Sequence, residues 1–315
     1  MDRETIILGT RGSKLALWQT EHVKAKLEEV QSKPVEIRVI KTKGDEILNK
    51  PLPEIGGKGV FTEELEEALL SGEIDAAVHS AKDLPTELPK GLTIGAFLER
   101  ERPADAVVTK PGSKYFMIQD LPEGTVIGTS STRRQALVRH KAPGLVLKDI
   151  RGNVDTRIQK MLDGHVDALL LAYAGVKRLG FLERDDISVH PLLERDFYHA
   201  VGQGCIAIEC RSPKKDQAVF KKLNHEETSI CVKVERQLLG ALGGGCSLPL
   251  GVFSEIVDRE LILKAILLDS EGKEFVTCSE STRDLADDKF AEGIVYEIKA
   301  RGSGELLQRI LGDNA

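Results

Sequence analysis

Between Asp75 and Pro89 the chain reads DAAVHSAKDLPTELP, and His79, Ser80, Lys82 and Asp83 stand close enough together to do chemistry. Asp75 to Val78 read as a short buried strand that runs into a polar turn holding those four residues, and Pro85 stops the turn. A strand that ends in ionisable and hydroxyl groups is how an open α/β sheet presents chemistry at its carboxyl edge. Asp83 can take a proton or stabilise a developing cation, and Lys82 beside it is a fixed positive charge. A solvated turn can carry the same pair. The rest of the chain must decide.

A second set of candidates lies between Gly128 and Gly180. Ten Lys or Arg stand there (133, 134, 139, 141, 148, 151, 157, 160, 177 and 178) against Asp at 149, 155, 163 and 167. The chain as a whole carries a net charge of −6, so this +6 is local and the remainder carries −12. Arg133 and Arg134 follow TSS, Arg151 follows a strand, and Lys177 and Arg178 follow DALLLAY. Cations at a helix start oppose the dipole, so their placement points to a ligand more than to stability. The arginine fork matches carboxylate or phosphate oxygens in pairs.

The elements that must position these residues follow from periodicity. Thr5–Gly9 is a strand that breaks into TRGSK, where Ser13 caps a helix with Leu15, Trp18, His22, Val23 and Leu27 on its apolar face. Arg11 and Ser13 thus sit at a strand-to-helix turn, where backbone N–H groups favour an anion. Val35–Ile40 alternates as a strand. The following Gly- and Pro-rich stretch, 41–61, reads as a mobile flap before a helix over Thr62–Leu70. Gly57-Lys58 is followed by Gly59, which excludes a phosphate-binding P-loop. Charge plus proline at 99–105 reads as a crossing between domains.

A second α/β unit then has strands at Thr125–Gly128, Val146–Ile150 and Asp167–Tyr173, with helices opened by TSSTRRQALVRH and RGNVDTR. DAAVHSAKDL and DALLLAYAGVKRLG both follow a helix ending in glycine, a hint of duplicated architecture. VGQG and an apolar strand return the chain toward the first domain. The last part holds a helix with Ile230, Val234, Leu238 and Leu242 inward, two strands around Ser270–Lys273, a closing helix over about 284–300 and a short terminal one.

At 315 residues the chain is long enough for two or three cores. Its negative charge argues against nucleic acid and acidic membranes as general partners. The five cysteines, at 205, 210, 231, 246 and 278, lack the spacing of a zinc site and read as reduced thiols of a cytosolic protein. Met1–Leu8 is too short and charged for a secretory signal, and no apolar run reaches bilayer length. Cys246 stands apart, because Gly243, Gly244 and Gly245 expose it on a loop.

Taken together, several collinear stretches resemble the porphobilinogen deaminase (hydroxymethylbilane synthase) family. They are TRGSKLALWQ (10–19), TKGD (42–45), GGKGVFTEELE (56–66), DAAVHSAKDLP (75–85), GTSSTRRQAL (128–137), RGNVDTR (151–157), LAYAGVKRLG (171–180), VGQG (201–204) with IECR (208–211), and GGGCSLPLG (243–251). The resemblance implies two α/β domains of the type II periplasmic-binding-protein kind with a cleft between them, plus a small α+β C-terminal domain. It divides the chain into 1–99 with 200–220, 100–199, and a cofactor-bearing 221–315.

It further implies a cytoplasmic, monomeric transferase that deaminates porphobilinogen. Four units are joined head to tail on a dipyrromethane primer held as a thioether by Cys246, and the linear tetrapyrrole is released by hydrolysis. Asp83 is then the catalytic carboxylate. Lys82, Ser80, Thr129, Ser130, Ser131, Arg133, Arg134, Arg151, Asn153, Arg157 and Gln203 bind the cofactor. Arg11, Ser13, Arg151, Arg157 and Arg178 bind substrate, and no metal is implied.

This sequence departs from the family pattern at Phe197-Tyr198-His199, at Cys205 after VGQG and at Ser247 after Cys246. His199 reads as a packing or hydrogen-bonding residue. The competing reading is a non-catalytic two-domain anion-binding module. The glycine-exposed Cys246 opposes it, and the absence of aromatic partners for the arginines opposes a nucleic-acid binder.

Overall fold

The computed structural model describes residues 4–42, 62–112, 115–245, 248–287 and 289–312. Residues 43–61 of the expected flap and the pair Cys246-Ser247 lie outside the described residues. The chain divides into two compact units, Met1–Glu101 with Cys205–Ser229, and Arg102–Gly204 with Ile230–Ala315.

In the first unit, strands β1 (Ile6–Thr10), β2 (Val35–Val39), β3 (Ala76–Ser80) and β4 (Leu92–Phe97) are completed by the returning β10 (Ile206–Arg211). The sheet order is β2-β1-β3-β10-β4. The first three strands are parallel, and β10 inserts antiparallel between β3 and β4. Helix α1 (Lys14–Val30) starts where the Ser13 hydroxyl accepts the Ala16 N–H at 3.2 Å, and ends at an extended Gln31. Helix α2 (Glu63–Leu70) buries Leu65 and Leu69 with Ile74. Each such side chain contributes about 1.5–3 kcal/mol. Gly9 is required beneath them, because a Cβ there would stand 2.3 Å from Ile74 Cδ1.

Two expectations change here. His79 and Ser80 belong to the strand rather than the turn, because β10 pairs Ala207 with His79 and Ile206 with Ser80. The buried face of α1 is Gln19, Thr20, Val23 and Leu27, while Trp18 stays 38% exposed and stacks on His22 with ring centres 5.2 Å apart. Gln19 and Thr20 can turn inward because both are satisfied, Gln19 by Ser80 and Thr20 by the Ala16 carbonyl.

The second unit repeats the plan. Strands β5 (Asp105–Thr109), β6 (Val126–Gly128), β7 (Val146–Lys148), β8 (Ala168–Ala172) and β9 (Ser188–Pro191) form a sheet of order β7-β6-β8-β5-β9. Again the first three are parallel and the inserted strand, β5, is antiparallel. Both sheets thus share one plan, three parallel strands with an antiparallel strand inserted before the last. Helices α3 (Thr132–Lys141), α4 (Val154–Leu162) and α5 (Tyr173–Arg178) follow β6, β7 and β8. Gly128 plays the part of Gly9, since a Cβ would meet Leu169 Cδ2 at 2.8 Å. The expected linker ends inside β5, whose five residues are all buried, so Asp105 is core and not surface.

The same unit carries a three-stranded antiparallel meander, β11 (Leu250–Val257), β12 (Glu260–Leu268) and β13 (Phe275–Thr282). Helices α6 (Glu226–Ala241) and α7 (Phe290–Ile298) bury Leu238, Ile294 and Ile298 in one cluster with Leu250, Leu263 and Leu267, and α8 (Gly304–Gly312) closes the described chain. The sequence reading expected two strands here and missed β11. Of the expected inward face of α6, Ile230 is only partly buried, while Val234, Leu238 and Leu242 are fully so. The closing helix starts at Phe290 rather than 284, and the expected short terminal helix is α8. No helix among the described residues is long and apolar enough to cross a membrane.

Candidate active site

The turn after β3 is a single 3-10 turn, Ala81–Asp83, ended by extended Leu84 before Pro85. It leaves Asp83 exposed and Lys82 partly buried. Asp83, Ser80 and His79 share a hollow of about 60 Å³ with Arg11, Ser13, Gln19 and Thr62. The first unit thus gathers Arg11, Ser13, Ser80 and Asp83 around one space, and Lys82 stands next to it along the chain. Ser80 is fixed there by the Gln19 amide, whose Nε2 donates to its hydroxyl at 2.9 Å. A carboxylate across from a guanidinium and two hydroxyls can hold an acid group of a ligand and face a developing cation at once.

In the second unit the candidates line one edge of the sheet. The Ser131 hydroxyl caps α3 by accepting the Arg134 N–H at 3.4 Å, and the Thr129 hydroxyl accepts the Ser131 N–H at 3.3 Å. Ser130 ties two turns together, donating to the Ile150 carbonyl at 2.9 Å and accepting its N–H at 3.2 Å. Arg151 and Asn153 lie in the turn before α4, where Asn153 is the exposed N-cap residue. Arg157 donates from Nε to the Gly152 carbonyl at 2.7 Å, and Arg178 donates to the Gly204 carbonyl at 2.7 Å.

Arg133 and Arg134 are brought together with Gln203 by Asp105, a residue that the charge and proline around it place in a linker. Asp105 is fully buried and lies 2.7 Å from each guanidinium. The Gln203 amide donates to the same carboxylate at 3.0 Å and to the Pro103 carbonyl at 2.6 Å. Burial opposes ionisation of Asp105, yet the charges of Arg133 and Arg134 and their hydrogen bonds hold its carboxyl well below the usual range. Arg133 in turn is pulled below its ordinary value by burial, against the Asp105 charge. Two buried cations against one carboxylate leave one net positive charge. Arg133 Nε has no hydrogen-bond partner among the described residues. A buried cation with a spare donor fits an incoming carboxylate.

The turn carrying Gln203 is itself held from the C-terminal sheet and helices. Glu235 on α6, fully buried, accepts the Gly202 N–H at 2.7 Å and the Ser254 hydroxyl at 2.5 Å. His199, buried, bridges to Val252 and shares Nδ1 with the Ala200 carbonyl at 3.0 Å, a packing and hydrogen-bonding role. The four described cysteines, 205, 210, 231 and 278, are buried, and burial pushes the Cys210 thiol up to about 12. Burial raises the Cys278 thiol as well, so neither of these two presents a thiolate at neutral pH. Among the described residues no group of His, Cys, Asp and Glu could hold a metal ion.

Sequence reasoning missed Asp105, Glu209 and Glu66. The available signal was a charge inside an apolar run, in ADAVV and IAIECR.

Residues 6–220 match the family model described as porphobilinogen deaminase, dipyromethane cofactor binding domain, and 229–297 match that of its C-terminal domain. The chain is 45% identical over 310 residues to a porphobilinogen deaminase of Nitratiruptor sp., covering 96% of each. It is 42% identical over 313 residues to one of Prochlorococcus marinus, covering 98% of each. Among solved structures it is similar to the Bordetella pertussis BvgS periplasmic VFT2 domain, with a TM-score of 0.44 at 14% identity over 75% of this chain and 91% of that one. It is also similar to the Lactococcus lactis GlnP substrate binding domain 2, with a TM-score of 0.44 at 12% identity over 70% of this chain and 88% of that one.

Proposed function

The chain belongs to the porphobilinogen deaminase family, and from that premise we propose that it deaminates porphobilinogen and joins four units head to tail on a dipyrromethane primer, releasing hydroxymethylbilane by hydrolysis. The observation that carries the reading is that the family match over 6–220 contains a built site, with Asp83 sharing one hollow with Arg11, Ser13 and Ser80.

The roles follow from the chemistry of the groups. Asp83 stabilises the positive charge that appears when porphobilinogen loses ammonia, and passes protons during deamination and coupling. Arg11, Ser13, Arg151, Arg157 and Arg178 take the acetate and propionate groups of the substrate. The residues that would hold the primer are Cys246, by a thioether, with Lys82, Ser80, Thr129, Ser130, Ser131, Arg133, Arg134, Arg151, Asn153, Arg157 and Gln203. The primer supplies the pyrrole position on which the chain is extended. The net positive charge at Arg133, Arg134 and Asp105, with its spare donor, supports carboxylate binding there. Each charge-assisted bond is worth roughly 1.5–3 kcal/mol.

The reading extends to a cytoplasmic monomer without nucleic-acid or membrane partners, supported by the buried cysteines and the net charge of −6. It also assigns 221–315 as the cofactor-bearing domain, after 1–99 with 200–220 and 100–199. Incubation of the purified holoenzyme with porphobilinogen tests the activity. Ammonia and linear tetrapyrrole should appear in a ratio of about four to one, the ratio head-to-tail joining demands. Tight binding of porphobilinogen with no ammonia released would instead favour a non-catalytic binding module.

A further inference from the structure

Behind the hollow in the first unit lies a group of ionisable side chains that the roles above do not use. His79 lines the hollow yet is only 6% exposed, and its Nε2 is 3.0 Å from Oε2 of Glu209, which is fully buried. Glu209 enters from β10, two residues beyond Ala207, the strand partner of His79, so the two side chains share one face of the sheet. Glu66 approaches from α2 and is 8% exposed. Glu66 Oε1 and Glu209 Oε1 are both buried with no hydrogen-bond partner among the described residues. Two buried carboxylates with bare oxygens beside one imidazole are costly if both are ionised. A proton retained on the group relieves that cost.

We propose that His79, Glu209 and Glu66 hold an exchangeable proton beside the Asp83 hollow, Glu209 and Glu66 acting as positioning residues through the His79 ring. The inference rests on the assignment of the hollow to porphobilinogen chemistry. Giving up one proton makes the charge of the group more negative by one. Burial pushes the Glu66 carboxyl upward, and the Glu209 charge adds to this against the Thr62 hydrogen bond and His79, with Glu63 adding further. The other charged groups facing the hollow are Arg11 from the β1–α1 turn and Asp83 from the turn after β3.

The proton balance of the reaction asks for such a store. When the aminomethyl C–N bond breaks, its electron pair leaves with nitrogen, and the nitrogen takes one proton to depart as ammonia. When the new C–C bond forms, the attacked ring position loses its C–H proton. One proton is spent in the first step and one returned in the second. A group that gives and then regains it leaves no net change, and no other reactant is needed.

Two measurements on the intact holoenzyme test this. Infrared spectra of protein labelled with 13C-glutamate should show a protonated carboxyl stretch at neutral pH that Glu66→Gln removes. A parent enzyme with no such band would overturn the proposal without any variant having to fold. Glu209→Gln should lower kcat by about ten- to a hundredfold at little-changed KM and move the limb of the kcat–pH profile. A profile superimposable on the parent's would equally refute it, since a merely structural role changes stability and not the profile. Asp83→Asn should keep the infrared band. Should that variant be as active as the parent with the band still present, the failure belongs to the role of Asp83 and not to the proton store.

Discussion

Asp83→Asn should leave the protein folded and its adduct in place, yet slow a single turnover of porphobilinogen by about a hundredfold or more. The side chain sits on a short 3-10 turn at the mouth of the hollow shared with Arg11, Ser13 and Ser80. Asparagine keeps the shape and some hydrogen bonding but removes the charge that faces the cation left by ammonia. Asp83→Glu keeps the charge and moves it by about one methylene, so measurable turnover should remain. A solvated turn carboxylate beside Lys82 would behave differently. Exposed pairs are worth under about 1 kcal/mol, and both variants would then run at near-parental rates. Rapid-quench assays on adduct-loaded protein separate the cases. An Asn variant as fast as the parent would remove Asp83 from the mechanism.

The second large effect is expected at Asp105, where a carboxylate with no solvent exposure neutralises one of two buried guanidinium groups. Asp105→Asn strands both arginines in a site from which water is excluded. Breaking a buried pair in this way costs about 3–5 kcal/mol. The denaturation midpoint of the holoenzyme should fall accordingly, and the binding edge that Arg133, Arg134 and Gln203 build should loosen with it. The sign of the pH dependence follows from the depressed carboxyl. Asp105 contributes its full stabilisation above its unfolded value of 3.8, and that contribution drains away as pH falls below it toward the folded value. Parent protein should therefore lose stability in acid by a component that Asp105→Asn lacks. Equal midpoints and equal acid profiles would show that the arginines are held by other groups.

Asp105 also shows why some of the molecule was legible in the sequence and some was not. Local rules sufficed where the cause was local. Ser13 and Ser131 announce their helices because a hydroxyl at the N-cap bonds a backbone N–H three residues on. The strand–turn–helix units around Arg11 and Arg133 follow from such caps and from apolar periodicity. Asp105 stands in a run of charge and proline, and what makes it core is pairing with β8 and β9 plus two arginines from a later helix. His79 and Ser80 read as turn because their strand partner, β10, arrives from much later in the chain.

β11 was missed because its hairpin turn, Asp258-Arg259, adopts positive φ angles of 50° and 62° without the glycine that usually marks such a turn. Gln19 and Thr20 broke the expected apolar face of α1, because a buried polar side chain is tolerable once a partner is supplied; Gln19 finds Ser80 on another element, and Thr20 the Ala16 carbonyl of its own helix. The misses at Asp105, His79, Ser80 and Gln19 have the same physical source. A long-range partner outweighed a local preference.

The central claim, assembly of a tetrapyrrole on a primer bonded to this chain, is most directly tested by the mass of the denatured protein. Enzyme made by cells that synthesise porphobilinogen should weigh more than its sequence by one dipyrromethane, and peptide mapping should place the excess on Cys246. The described cysteines, 205, 210, 231 and 278, are buried and should be unmodified. An unmodified mass, or an adduct on any of those four, would contradict the account.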